Sequence, residues 1–446
     1  MAHWDVAIVG GGPAGLMAAA RAAERGRRTI LLDKNRRPGI KILLSGGTRC
    51  NLTHATDARG IVAAFGSAGR FLHSALAALS PQDVVDFFEA EGVHTKVEPG
   101  GKVFPSSDRA ADVLAALVRR VKQSGCTLAF EEPIKELQRG GNGFQLTTTR
   151  QVLEAEKVIL ATGGQSYPAC GATGDGYRWA AALGHTIVTP RTALAPVTSH
   201  APWLRELQGI TVHDVAVEVI DPGEKSILDV ADRNVCPTGQ PADRNVCPTD
   251  QPADSSVCPP GQLLARSRGS LLFAHFGVTG PVVLDVSRAV RGHPRPNTLR
   301  LRCDFLPDLR LEGLDALLLS QSAAAGRRQV AGLLDPWVAH RLAETIVAQA
   351  GLPPDRTAAE FSKAERRRLS QTIKGFDIPV AGTMGFRKAE VTAGGVALDE
   401  VDSRTVQSRI VPGLYFAGEL LDLDGPIGGY NFQAAFSTGW LAGESV

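Results

Sequence analysis

The sequence predicts an α/β protein in which both ends of the chain build one Rossmann-like nucleotide-binding domain, with β-rich and helical segments inserted between them. Three observations carry that prediction. Asp5–Val9 is a short apolar run leading into the glycine turn Gly10–Gly15 and an alanine-rich stretch, Leu16–Arg25. After Glu390 the chain returns to short apolar runs, glycines and an apolar terminal helix. Between these ends, near residue 190, the texture changes to alternating apolar and polar residues and later to helical spacing.

The first element is a strand, because five apolar-rich residues bounded by glycine are too few for a helix. Leu16–Arg25 has high helix propensity, and Thr29–Leu32 is a second apolar run ending at Asp33. Strand, turn, helix and strand make a βαβ unit of about 30 residues. Helices are expected over Pro81–Glu91, over Ala110–Gln123, where Val113, Leu114, Leu117, Val118 and Val121 share a face, and over Gly176–Leu183. Strands are expected at Cys126–Phe130, Phe144–Thr148 and Val158–Ala161. Past residue 190, Val212, Val215, Val217 and Val219 alternate with polar residues including Asp214 and Glu218, the mark of a half-buried antiparallel strand. Thr298–Cys303 alternates less cleanly. Leu314–Ser322, Trp337–Ala350 and Ala358–Lys374 read as helices, punctuated by Pro353 and Pro354. Composition therefore places boundaries near 190, 305 and 380.

One segment differs in kind. ADRNVCPTGQP (231–241) is followed by ADRNVCPTDQP (242–252) and by the decayed copy ADSSVCPPGQL (253–263). Cys236, Cys247 and Cys258 recur in step, but stacked copies would bury almost nothing, and zinc sites usually pair cysteines two to four residues apart. A duplicated, solvated loop between two strands is expected, and no metal.

Composition narrows the function. At 446 residues, with 43% hydrophobic and 21% charged residues, the chain supports a sizeable core and more than one domain. A net charge of +2, with the signs interspersed, is no polyanion-binding signature, so no nucleic-acid partner is expected. No apolar run reaches the roughly 18–20 residues of a membrane span, and the N-terminal apolar run is too short for a signal peptide. A cytoplasmic location is expected. The other cysteines, Cys50, Cys126, Cys170 and Cys303, are scattered and suggest no disulfide framework.

The sharpest motif is Gly10-Gly11-Gly12-Pro13-Ala14-Gly15, a G-x-G-x-x-G directly after a strand and before a helix. Its glycines allow a tight turn and a close approach of backbone N–H groups to a pyrophosphate at the helix N-terminus. Asp33, 18 residues beyond Gly15 and followed by Lys34, stands where a carboxylate accepts ribose hydroxyls. The far end selects FAD over NAD. Leu414–Ala417 runs into Gly418-Glu419, placed to hold a ribitol, and Gly429-Tyr430-Asn431 opens a helix whose dipole would face the flavin N1–C2=O edge. Thr162-Gly163-Gly164 adds another strand-to-turn crossing.

The chain resembles the bacterial BaiN/YhiN-type flavoproteins, a family including aminoacetone oxidases and NAD(P)H-dependent reductases. The resemblance lies in GGGPAGLMAA (10–19), KILLSGGTRCNLT (41–53), VFPSS (103–107), ATGGQSYPACGATGDGYRWA (161–180), LFAHFGVTGPVVLD (272–285), AEVTAGGVALDEVD (389–402) and GLYFAGELLDLDGPIGGYNFQAAFSTGW (413–440). It implies an FAD-binding domain of the two-dinucleotide-binding-domain type over 1–190 and 385–446. It also implies a β-rich, barrel-like domain over 191–305 and 375–384, carrying the repeat loop 231–263, and a helical domain over 306–374. Thr48 departs from the family pattern, which has a third glycine there, and the cysteine repeat is an addition. By the same resemblance Arg49 and Asn51 lie near the flavin, and Lys41 contacts a phosphate or the flavin edge. Gly395 sits in a small-residue stretch that suits backbone passing close over a flat ring.

The expected activity is an FAD-dependent oxidoreductase that moves hydride through flavin N5 to or from a small organic substrate, with NAD(P)H or oxygen as second redox partner. No second G-x-G-x-x-G is present, so NAD(P)H would bind transiently. Tyr167, His275 and Arg49 are the candidate catalytic groups; Tyr167 and His275 each have a structural alternative, a satisfied buried tyrosine and a packed histidine, and Arg49 can offset negative charge near the ring. Cys50 has no CxxC partner, which disfavours disulfide reduction. A flavin-dependent nucleic-acid-modifying enzyme and a non-enzymatic flavin-bound redox sensor stay open as alternatives. Oligomeric state is not legible.

Overall fold

A computed structural model describes residues 2–141, 143–223 and 261–446. Contacts divide it into two compact units, Met1–Ala195 with Met384–Val446, and Pro196–Thr383. Residues 231–260 of the repeat lie outside the described residues; of its last three, Gln262 and Leu263 are paired strand residues, opposite Asp221 and Ile220.

In the first unit β1 (Ala2–Val9), α1 (Pro13–Glu24) and β2 (Thr29–Asp33) form the expected βαβ unit. α2 (Ile40–Thr48) follows, kinked at Ser45–Gly47. β3 (Thr127–Phe130) and β4 (Val152–Leu160) complete the first segment's share of the parallel sheet, and β5 (Ile187–Ala193) lies outside it. The returning segment supplies β6 (Val391–Val396), β7 (Leu414–Phe416) and α3 (Tyr430–Ser445). The parallel core runs β7-β4-β1-β2-β3, with Val9 opposite Leu32 on one side and Leu160 on the other. Strand order reverses between β1 and β4, so a crevice opens outside their carboxyl ends. In open α/β sheets that is where ligands bind.

Small residues set the layer spacing. Gly439 of α3 lies against the Ala14 carbonyl and Gly443 against the Ala18 carbonyl, so closely that a Cβ at either would overlap backbone. The C-terminal helix therefore packs backbone to backbone on α1. β5 and β6 pair antiparallel, Arg191 with Ala393, and so join the unit's two segments.

The second unit holds a seven-stranded antiparallel sheet in the order 376–379, 300–304, 211–221, 262–274, 277–279, 197–198, 382–383. The alternation at 211–221 reflects burial of Val212, Val215, Val217 and Val219. Helices Leu311–Ala324, His340–Gln349 and Lys363–Lys374 bury Leu314, Leu318, Leu342, Ile346, Leu369 and Ile373 in one core with Val217, Leu301 and Phe376. Among the described residues no helix is long and apolar enough to cross a membrane.

Candidate functional site

The crevice is built from the glycine turn outward. Gly10 has φ +106°, and a Cβ there would lie 2.5 Å from the Ala161 carbonyl oxygen, so only glycine lets the ends of β1 and β4 come this close. Gly15 abuts the Gly10 carbonyl just as tightly. Gly12 is different: a Cβ on it would meet nothing within 4 Å. Gly12 is also the N-cap of α1, no side chain caps that helix, and Pro13 opens it. The unfilled space beside Gly12 thus lies at the free first-turn N–H groups, including that of Ala14. It fits an anionic diphosphate.

Asp33, 9% exposed, closes one side. Its Oδ2 accepts the Gly11 N–H at 2.6 Å and its Oδ1 the Asn35 N–H at 2.7 Å. Burial pushes its carboxyl up, opposed by those N–H groups and by Lys34. A carboxylate has about four acceptor positions, so ribose hydroxyls can still be received. Lys34 turns to the 170–175 loop, donating to Asp175 at 2.6 Å and to the Thr173 hydroxyl at 2.5 Å.

Further along the crevice Gly418, φ +71°, donates its N–H to Thr438 Oγ1 at 2.9 Å, and a Cβ on it would lie 2.9 Å from the Ala14 methyl. The next residue ties three segments together. Glu419 Oε2 accepts Lys41 Nζ at 2.6 Å, and its Oε1 accepts the Thr392 N–H at 2.9 Å. Thr392 Oγ1 accepts the N–H groups of Gln165 (2.8 Å) and Ser166 (3.1 Å). Gly164 lies flat against Thr392 and Glu419, where any side chain would overlap. Gly163 takes φ +72° with open space beside it, and the Thr162 hydroxyl faces Gly176. Gly395, φ +145°, passes within 2.5 Å (measured from a Cβ) of the Leu420 carbonyl.

At the start of α3, Gly429 is the N-cap, again without a capping side chain. Asn51 holds it: with the amide oriented to satisfy its neighbours, Asn51 donates to the Thr53 and Val103 carbonyls and accepts the Gly429 N–H at 3.1 Å. Tyr430 stacks on His54 with ring centroids 4.6 Å apart. Asn431 closes the preceding loop on itself, exchanging hydrogen bonds with Gly425 at 2.8 and 3.0 Å. Arg49 pairs with Glu98 at 2.6 Å and lies 4.0 Å over the Phe104 ring. Tyr167 donates to Glu390 Oε1 at 2.9 Å. His275 belongs to the second unit, where it is exposed beside Phe276.

The structure thus gathers Gly10, Gly12, Pro13, Ala14, Gly15, Asp33, Gly418 and Glu419 along one crevice, with Lys41, Gly164 and Gly395 beside Glu419. Sequence reasoning missed Glu390 and the Thr392 hydroxyl. Both lie in the AEVTAGG run, but only their partners 223 and 226 residues away reveal them.

A doubly wound sheet with an uncapped glycine turn, a buried carboxylate at the end of its second strand and a returning C-terminal helix is the architecture of an FAD-dependent oxidoreductase. Residues 4–445 match the family described as HI0933-like protein Rossmann domain, and the chain belongs to that family. It is 31% identical over 446 residues to the ribosomal RNA dihydrouridine synthase of Escherichia coli K12, covering 100% of this chain and 98% of that protein. It is 29% identical over 448 residues to the 3-dehydro-bile acid delta(4,6)-reductase of Clostridium scindens, covering 99% and 98%. A ribosomal RNA dihydrouridine synthase of Haemophilus influenzae is 28% identical over 447 residues, covering 98% and 97%.

Proposed function

We propose that the enzyme is a reductase that saturates a carbon–carbon double bond conjugated to a carbonyl group in a small organic substrate. The observation that carries this reading is the end-to-end likeness to relatives named for two different substrates. Dihydrouridine is uridine with its ring double bond saturated. A delta(4,6)-reductase of a 3-dehydro-bile acid saturates double bonds in line with a ketone. One reaction type is common to both names.

Bound FAD would supply the chemistry by carrying the hydride at N5. The chain's own part is to bind and orient. The first-turn N–H groups of α1 at Gly12–Ala14 would take the diphosphate, Asp33 the ribose hydroxyls, and Gly418 with Glu419 the ribitol. Gly164 and Gly395 would let the Thr392, Glu419 and Leu420 segments close up around the site, and the uncapped start of α3 at Gly429 would favour negative charge on the flavin. NAD(P)H is the proposed reductant, bound transiently for want of a second dinucleotide fingerprint.

A second reading keeps the reaction and changes the substrate to uridine in RNA. Beyond the relatives' names, one stretch favours it. Arg288, Arg291 and Arg295 are exposed at one helix end of the second unit, and no acidic residue stands between Asp285 and Asp304. Exposed arginines of one sign suit phosphate contacts.

The experiment is anaerobic reduction of the holoenzyme by NADH or NADPH, followed by a 3-oxo-4-ene steroid or protein-free ribosomal RNA. Flavin reoxidation by the steroid, with two hydrogens gained by the product, supports the first reading. Dihydrouridine in the RNA supports the second. Reoxidation by neither removes both.

A further inference from the structure

Beyond the glycine turn, the polar groups of the first unit concentrate at one place. Glu419 knots Lys41 to the Thr392 N–H, and Thr392 in turn holds the Gln165 and Ser166 N–H groups. Tyr167 stands one residue past Ser166, and Glu390 two residues before Thr392. Their side chains meet at 2.9 Å, phenol donating to carboxylate. Glu390 Oε2 has no hydrogen-bond partner among the described residues.

The backbone under this pair is held in a costly form. Tyr167 has φ +56° and ψ 62°, a left-handed conformation that L-residues with bulky side chains rarely adopt. Its N–H donates to the Phe386 carbonyl at 3.0 Å, and the Glu390 N–H donates at 3.0 Å to Leu194, itself at φ +50°. Two strained anchors thus fix one hydroxyl against one carboxylate. Such strain clusters where geometry serves function.

We propose that Tyr167 and Glu390 form a proton relay for the reduction described under the proposed function, on which this inference rests. With the hydride that bound reduced FAD would supply going to the β-carbon of the conjugated double bond, Tyr167 would give its phenolic proton to the α-carbon. Glu390 in its acid form reverses the hydrogen bond, donating to the tyrosine oxygen, and passes its proton there as the phenol proton leaves. Glu390 is left as carboxylate and takes a proton back from water, so substrate gains one hydride and one proton and Tyr167 ends unchanged.

The surroundings suit both roles. The charged and titratable groups near the pair are Lys41, Glu419 and Cys170. Lys41 is committed to Glu419, so two carboxylates share one cation. Burial foremost, and Glu419 as well, push Glu390 up toward its proton-holding form, against Lys41 and the Tyr167 hydrogen bond. Burial, and then Glu390, push the Tyr167 phenol up, so it stays neutral between turnovers. Burial also raises the Cys170 thiol.

The test uses the holoenzyme reduced with dithionite and two oxidants, a 3-oxo-4-ene steroid, which needs a proton, and ferricyanide, which needs none. Tyr167→Phe should slow reoxidation by the steroid by about a hundredfold or more, the scale of general-acid catalysis, and leave the ferricyanide rate unchanged. Glu390→Gln should slow the steroid reaction and abolish the fall in wild-type rate as pH rises through the Glu390 range. Wild-type steroid rates in both variants would overturn the relay. If the wild-type enzyme ignores the steroid, the functional reading fails, and the relay is decided by melting temperature against pH. A carboxyl raised in the fold stabilises below its unfolded value and loses that contribution as pH rises through the folded one. Wild type should therefore lose stability with rising pH relative to Glu390→Gln. Parallel curves would show that Glu390 holds no extra proton and overturn the relay.

Discussion

Asp33 accepts the Gly11 N–H at 2.6 Å, so the carboxylate at the end of β2 holds the turn at the end of β1. The carboxylate proposed to receive a ribose thus also shapes the glycine turn. Local spacing and tertiary packing converge on this contact, and the glycines around it divide into two kinds.

Gly10 and Gly15 are packed against backbone, whereas a Cβ on Gly12 meets nothing. Gly12, at φ −79°, is also in a conformation any residue adopts. Gly12→Val should fold with an unchanged circular dichroism spectrum and purify without flavin. Gly10→Val, at φ +106° and against Ala161, should fail to accumulate as soluble protein. A flavin-loaded Gly12→Val variant would show that the diphosphate lies elsewhere.

Glu419, which the sequence places to hold a ribitol, also receives Lys41 and the Thr392 N–H. Its substitution should therefore cost stability as well as flavin. A hydrogen bond to a charged group contributes about 1.5–3 kcal/mol, and the side chains of this pair are only 25% and 19% exposed. Glu419→Ala should lower the urea midpoint of the apoprotein and speed flavin release in the holoenzyme. An unchanged midpoint would mean that solvent compensates the lost pair.

Thr48 holds φ +70° directly after Gly46 and Gly47 at +56° and +68°. This is where the family pattern carries a third glycine, and a left-handed L-residue costs roughly 1–2 kcal/mol. Thr48→Gly should stabilise the protein by about 0.5–1 kcal/mol, since glycine's extra freedom in the unfolded chain offsets part of the relief. Equilibrium unfolding decides it, and a destabilised variant would mean that the Thr48 side chain makes up the strain.

His185 is buried in the first unit, its Nδ1 3.2 Å from Glu400 and its Nε2 2.8 Å from Ser408 Oγ. The Ser408 oxygen accepts the Ile410 and Val411 N–H groups, so its proton goes to Nε2 and His185 is neutral with Nδ1–H toward Glu400. Burial lowers the imidazole despite Glu400. A lowered histidine contributes stability above its unfolded value, about 6.5, and loses it as pH falls toward the folded one. Melting temperature should drop below that pH, and His185→Gln should flatten the drop. A parallel fall in the variant would assign it to other groups.

The glycine turn, Asp33 and the first βαβ unit were legible because their signals are local: covalent spacing alone sets which residues leave β1 and where β2 ends. Ala110–Gln123 was read to the residue, since its apolar positions fall on one helical face. The thirteen-residue strand Gln262–Ala274 was not, because Arg266 and Arg268 interrupt its apolar positions and its pairing with 211–221 supplies the order that its own sequence lacks. Asn51 and Asn431 could be placed near the cofactor end but not given their partners. Those carbonyls and N–H groups become neighbours only when Thr53 pairs with Val103 and the 425–429 loop closes. Glu390 lies furthest from sequence reach. The sequence by itself determined the nucleotide turn and the class of enzyme, through short-range patterns that survive without a fold. Tertiary structure alone decided that Tyr167 meets a carboxylate 223 residues away, because β5–β6 pairing and the Thr392 knot bring together segments that no local periodicity connects.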